Sequence, residues 1–188
     1  MFTLRRWSRE DRDAVIDAFA DPLMTSQFQR RGTIEESATH WLATAHSRYS
    51  RRDGGYFFCV VDRDDTVLGN VACVPVDDHS CGWVSYWTVP AARSRGVAGA
   101  ALAAVVPWLH DRAAIERLEL GHRVNNPTSG SVARKAGFAF EGRQRGKLSY
   151  GGQRYDVDLY GRLGTDERAG VPVTVALDDR LMPSAERS

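Results

Sequence analysis

Arg93-Ser94-Arg95-Gly96-Val97-Ala98-Gly99-Ala100-Ala101-Leu102 is the stretch whose reading decides the fold. A strand-like run at residues 82–89 precedes it, and Pro90 breaks that run. Residues 98–109 then place small and apolar side chains at helical spacing. A small-residue turn feeding a helix leaves backbone N–H groups without partners, and with the helix dipole these make an anion site. Gly96, Ala98 and Gly99 let a phosphate approach the backbone, and Arg93 and Arg95 add positive charge at the same mouth.

Residue chemistry alone describes a diphosphate cradle. A Walker-type loop needs Lys-Ser or Lys-Thr after its glycines, and the run has neither. A dinucleotide fingerprint needs Gly-x-Gly-x-x-Gly and a later acidic residue, which Gly96-Val97-Ala98-Gly99-Ala100-Ala101 matches poorly. Arg93, Gly96 and Ala98 fit Arg/Gln-x-x-Gly-x-Gly/Ala, which resembles the acetyl-CoA pyrophosphate loop of the GNAT N-acetyltransferases. The plain structural alternative is a tight strand-to-helix turn that uses glycine for packing.

The 188 residues suit one domain with a sizeable core. Hydrophobic residues make up 43% and charged residues 26%, a globular composition. A net charge of +1 gives no electrostatic case for nucleic acid or a membrane surface. Cys59, Cys73 and Cys81 are odd in number and lack paired spacing, which argues against a disulfide framework or a metal site. No run has signal-peptide or membrane-spanning character, so the expected location is cytoplasmic.

Residues 2–7 read as a first strand. Ser8 can cap a helix with Glu10 and Asp11 in its first turn, ended by Asp21-Pro22. Thr33 and Glu36 form a capping-box pattern opening a second helix over 34–49. Strands at 56–61, 66–76 and 81–89 follow as a meander. The loop helix comes next, with Pro107 expected to kink it. A strand at 115–124, a short helix to about residue 136, and a closing hairpin turned by Gly151-Gly152 complete the body. The order β-α-α-β-β-β-α-β-α-β-β predicts an α/β (α+β) fold around a central mixed sheet, with one parallel crossover at the loop helix. Residues 1–163 form the expected domain, and 164–188 a C-terminal tail with an edge strand or docking patch near 171–177.

The element order resembles the GNAT fold, and the second half adds residue-level matches. Asn126-Pro127-Thr128-Ser129, Lys135-Ala136-Gly137-Phe138 and Glu141-Gly142 resemble a run of the RimJ/RimL-like branch. Tyr86-Trp87-Thr88-Val89-Pro90 and the ending Tyr150 to Tyr160 resemble that branch as well.

The resemblance implies an acetyl-CoA-dependent N-acetyltransferase with no metal. In it the pyrophosphate lies on the N–H groups of Arg95, Gly96, Val97, Ala98 and Gly99, beside Arg93. The pantetheine arm runs along backbone groups of Trp87, Thr88 and Val89. Asn126 reaches the arm, and the Ser129 hydroxyl protonates the departing thiolate. Arg134, Lys135 and Arg143 are partners for the outlying phosphate. By residue chemistry alone, Asn126 is a turn residue and Ser129 a helix cap. The family also implies subunit pairing as a homodimer.

An attacking amine must be neutral, so the site needs a base, a water relay or a lowered amine pKa. An oxyanion donor is expected near Thr88 or Val89. Related sequences often carry Glu where this chain has Trp83. His122, Glu119, Asp77, Asp78 and His79 are the candidate bases, against a buried histidine and ordinary turn chemistry. Trp83 and Trp87 share a strand face with period two and can line an acceptor pocket or belong to the core with Phe28 and Trp41. Residues 19–32 and 147–154 are expected to border the acceptor mouth, with Gln27, Gln29, Arg30, Arg31, Tyr150 and Gln153. This set does not suggest a deep anionic pocket for a polycationic aminoglycoside, and the resemblance to the branch implies a protein N-terminus or a small amine with an acidic group. The alternatives are a non-catalytic acyl-CoA-binding module and a nucleotide-dependent oxidoreductase.

Overall fold

The computed structural model describes residues 2–25, 32–47, 54–167 and 175–177. One mixed sheet of eight strands runs through it in the order β6-β7-β5-β4-β3-β2-β1-β8. The strands are β1 (Phe2–Arg6), β2 (Tyr56–Val61), β3 (Val67–Pro75), β4 (Cys81–Thr88), β5 (Arg117–Arg123), β6 (Ala139–Tyr150), β7 (Gln153–Leu163) and β8 (Val175–Leu177). The helices are α1 (Arg12–Ala20), α2 (Pro22–Thr25), α3 (Ile34–Ser47), α4 (Val97–Asp111) and α5 (Pro127–Lys135).

Each start and stop has a local cause. Ser8 and Asp11 form a reciprocal capping box on a single 3-10 turn, which continues into α1. Pro22 opens the short α2; a proline at the first helical position costs no hydrogen bond. Thr33 and Glu36 exchange the expected capping-box bonds at 3.1 and 2.9 Å. Pro107 lies inside α4 without ending it. Gly151 (φ 55°) and Gly152 (φ 80°) supply the two left-handed residues of a tight hairpin turn between β6 and β7.

Two apolar layers sandwich the sheet. Val84, Leu118, Leu120 and Tyr160 pack under α4 and α5 with Leu102, Val105 and Leu109. On the other face Trp7, Phe57, Cys59, Ala72 and Trp87 pack under α1 and α3. Trp41 of α3 meets Trp7, Phe19, Phe57 and Trp87 with ring centroids 5.1–6.2 Å apart, and Trp7 donates its indole N–H to Asn70 at 3.0 Å. Trp87 is therefore a core side chain. Within the predicted tail, Val175–Leu177 adds a parallel edge strand to β1.

Candidate active site

The parallel pair β4–β5 builds the site by failing to stay paired. Cys81, Gly82 and Trp83 face Arg117, Leu118 and Glu119, and the pairing ends there. β4 continues to Thr88 and β5 to Arg123, so the two strands part at their C-terminal ends. Residues 82–88 of β4 remain paired with β3 on the other side. Val89 donates to Leu68 at 2.9 Å. Antiparallel bonding alternates, so odd-numbered Val89 and Trp87 turn their backbone groups to β3, and Tyr86 and Thr88 turn theirs into the gap. This corrects the expectation for Val89 and Trp87: their N–H groups are engaged, and Thr88 is the donor facing the opening.

α4 begins shortly after the C-terminal end of β4, the end at which the two strands part. Gly96 sits in the left-handed region (φ 76°) and caps the helix without a side-chain bond. Ala100 makes the first helical bond, to Gly96, so the N–H groups of Val97, Ala98 and Gly99 have no helical acceptor. A methyl group built on Gly96 or Gly99 meets nothing within 4 Å. These glycines keep open space above bare N–H groups, as a diphosphate requires. Arg93 instead pairs with Asp21 at the end of α1. That pair fixes the loop to α1 and offsets the charge expected of Arg93 at the mouth. Arg95 is exposed.

A second helix N-terminus lies across the gap. Asn126 caps α5, accepting from the Ser129 N–H at 3.3 Å and donating to the Ser129 hydroxyl at 3.0 Å. Asn126 is thus the cap and Ser129 its partner, reversing the two local roles read from the sequence. The Ser129 hydroxyl accepts from Asn126 and keeps its own proton to donate. Tyr86 of β4 donates to the Ser129 carbonyl at 2.9 Å and ties the parted strands together. Burial pushes the Tyr86 phenol up to about 12, so it stays a donor at neutral pH.

His122 lies on the α4–α5 face with Leu118 and Leu120. It is 9% exposed, stacks on Tyr160, and shares its Nδ1 with the Arg123 carbonyl at 2.8 Å. Its Nε2 is buried, lacks a hydrogen-bond partner among the described residues, and faces Gly130. The ring is therefore buried and hydrogen-bonded through Nδ1, with Nε2 left unpaired among the described residues. Glu119 is held by Arg117 at 2.8 Å, and Arg117 also clasps Glu141. Asp77, Asp78 and His79 lie at the closed end of the β4–β5 pair, before Cys81. Thr88 is seven residues further on, roughly 23 Å of extended strand, so that turn does not reach the opening.

Arg134 donates to Tyr160 and Arg143 pairs with Asp158, while Lys135 has no side-chain partner among the described residues. Burial pushes the Cys73 thiol up to about 12 and raises that of Cys59, so neither is a thiolate nucleophile at neutral pH. Among the described residues no group of three or more His, Cys, Asp or Glu is placed to hold a metal, and no helix is long and apolar enough to cross a membrane. Gln27, Phe28, Gln29, Arg30 and Arg31 lie outside the described residues. The residue that sequence reasoning missed on the opposite face is Arg123, whose guanidinium lies 5.1 and 5.2 Å from the ring centres of Tyr150 and Tyr155.

Parted parallel strands with two helix N-termini form a cleft whose bare N–H groups suit an anionic ligand. Residues 2–139 match the model of the acetyltransferase (GNAT) domain, and the chain belongs to that family. No curated protein matches it by sequence. Among solved structures it resembles ribosomal-protein-S5-alanine acetyltransferase from Vibrio fischeri, at 18% identity and TM-score 0.75 over 87% of this chain and 93% of that one. It also resembles a GNAT-family acetyltransferase from Bacillus anthracis (18% identity, TM-score 0.75, 85% and 93% coverage). A third is spermidine N-acetyltransferase from Vibrio cholerae in complex with CoA and spermine (18% identity, TM-score 0.74, 86% and 95% coverage). At these identities the likeness speaks for the fold.

Proposed function

We propose that the chain is an acetyl-CoA-dependent N-acetyltransferase of the RimJ/RimL-like branch, acting in the cytoplasm on a primary amine of a peptide N-terminus or a small molecule. The observation that carries this reading is the gap between β4 and β5, with the bare first turn of α4 and the open space over Gly96 and Gly99 at its mouth. Residues 1–163 are the transferase body in this reading, and 164–188 an appended tail.

The N–H groups of Val97, Ala98 and Gly99 would hold the pyrophosphate. The free edge of β4 at Tyr86 and Thr88 would hold the pantetheine arm. Asn126 donates one amide hydrogen to the Ser129 hydroxyl and has a second for the same arm. Acetyl-CoA supplies the activated acetyl group: the amine nitrogen bonds the thioester carbon, the C–S bond breaks, and a proton lost by the amine balances the one gained by the thiolate. The Thr88 N–H serves the oxyanion, and the Ser129 hydroxyl passes the proton to sulfur.

Trp83 favours a second reading. It stands where related sequences carry Glu, and its ring edge lies over Gly121, so this position supplies no strand-borne base. A non-catalytic acyl-CoA-binding module follows if no base or water relay replaces it. Thiol release from acetyl-CoA across a panel of primary amines separates the two. The transferase reading expects turnover with at least one amine, lowered about 100-fold or more in kcat by Ser129→Ala. Binding of acetyl-CoA without turnover of any amine favours the module.

A further inference from the structure

We infer that Arg123 selects the acceptor: the transferred acetyl goes to a primary amine whose skeleton also carries a carboxylate. This deepens the transferase reading above and rests on it.

The strand alternation sets the geometry. Leu118 and Leu120 point to the α4–α5 layer, so Arg117, Glu119, Gly121 and Arg123 share the opposite face of β5. Extending the register from Trp83 and Glu119 brings Arg123 level with Trp87, where the strands have parted. Arg123 therefore lies beside the opening, on the face away from the helix that carries the anion site.

The chemistry follows from how the guanidinium is held. Tyr150 and Tyr155, from the two strands of the closing hairpin, each bring a ring to it at 5.1 and 5.2 Å. Aromatic faces attract a cation and fix its orientation, but they accept none of its N–H bonds. Among the described residues Arg123 makes no ion pair. Three other arginines of the sheet are neutralised, Arg5 by Asp11 and Asp65, Arg117 by Glu119 and Glu141, and Arg143 by Asp158, while Arg154 and Arg162 donate to backbone carbonyls. A half-buried, preoriented guanidinium with its N–H edge free is suited to bidentate recognition of a carboxylate. Gly121 keeps the neighbouring floor low, since a Cβ there meets Val157 at 3.0 Å and Leu159 and Trp83 at 3.1 Å. The same charge repels a polyamine.

The test compares kcat/KM for a free amino acid, its carboxamide, a peptide with an acidic first residue, the neutral version of that peptide, and spermidine. The wild type is expected to prefer a carboxylate-bearing amine over its neutral counterpart by about tenfold or more. Preference within the free amino acid pair assigns a small substrate, and within the peptide pair a protein N-terminus. Arg123→Gln should raise KM for the preferred amine about 10- to 100-fold. It should leave the neutral amine and the acetyl-CoA Kd unchanged. Tyr155→Leu keeps the charge but frees the guanidinium, and should give a smaller rise in KM.

Equal use of charged and neutral amines by the wild type overturns the inference. So does an unchanged preference in folded Arg123→Gln, or a tenfold loss of acetyl-CoA affinity in that variant, which would assign Arg123 to the cofactor. Turnover of spermidine alone overturns it while leaving the transferase reading intact. Turnover of no amine at all removes both.

Discussion

The Tyr86 hydroxyl donates to the Ser129 carbonyl at 2.9 Å, joining β4 to α5 across the place where β4 and β5 have parted. The opening needs such a tie, because the sheet's own ladder stops at Trp83 and Glu119.

Tyr86→Phe should cost about 1 kcal/mol of stability by leaving a partly buried carbonyl unpaired. It should weaken acetyl-CoA binding a few-fold, because Ser129 and Asn126 lose their anchor. Burial raises the Tyr86 phenol from 10.0 to about 12, so the folded protein holds that proton more tightly than the unfolded chain. The hydroxyl's contribution is complete below pH 10 and is lost as the pH rises through 12. Denaturant melts of both proteins should therefore differ by a constant amount from about pH 6 to 9.

Gly130→Ala tests the packing under α5. A Cβ there would lie 2.6 Å from His122 Nε2 and 3.1 Å from the Tyr160 hydroxyl. Overpacking should destabilise by about 1–3 kcal/mol, although alanine is otherwise the better helix former. In a His122→Ala background the same change should cost far less, a coupling readable from a double-mutant cycle of melts. Additive effects would mean that His122 does not wall that position.

Glu141→Gln tests the strap between β5 and β6. Arg117 bonds Glu141 at 2.5 and 3.0 Å and holds its carboxyl below the ordinary 4.5. A depressed carboxylate stabilises the fold above the unfolded value and loses that contribution as the pH falls through the folded one. Glu141 is 42% exposed, so solvent screening limits the effect to about 0.5 kcal/mol. The stability gap between wild type and variant should be present at pH 7 and close below about pH 4.5.

The sequence made the body of the fold legible because its elements are bounded by strong local signals. The Thr33–Glu36 box, the double-glycine hairpin and the small-residue loop each depend on neighbours in the chain. Glu141, part of the motif resembling the RimJ/RimL-like branch, turns out to clasp Arg117, and Gly137 (φ 82°) turns the chain out of α5. What was not legible depends on partners distant in sequence. That Asp21 would take Arg93 required α1 to be placed against the loop. That Val89 is engaged and Thr88 faces the opening depends on the β3 register. Arg123 gave no signal in the sequence because its two tyrosines come from a hairpin about 30 residues away.

The most direct test is calorimetric titration of acetyl-CoA, with NAD as control, into the wild type and Gly99→Asp. Position 99 has open space around it, and an acidic residue in the first turn suits the helix dipole, so the variant should melt no lower than the wild type. The wild type is expected to bind acetyl-CoA with an affinity on the order of 10 µM or tighter and not to bind NAD, with at least a ~100-fold loss in Gly99→Asp, where a carboxylate occupies the anion site. Equal acetyl-CoA binding by a folded Gly99→Asp, or no binding by the wild type, would contradict it.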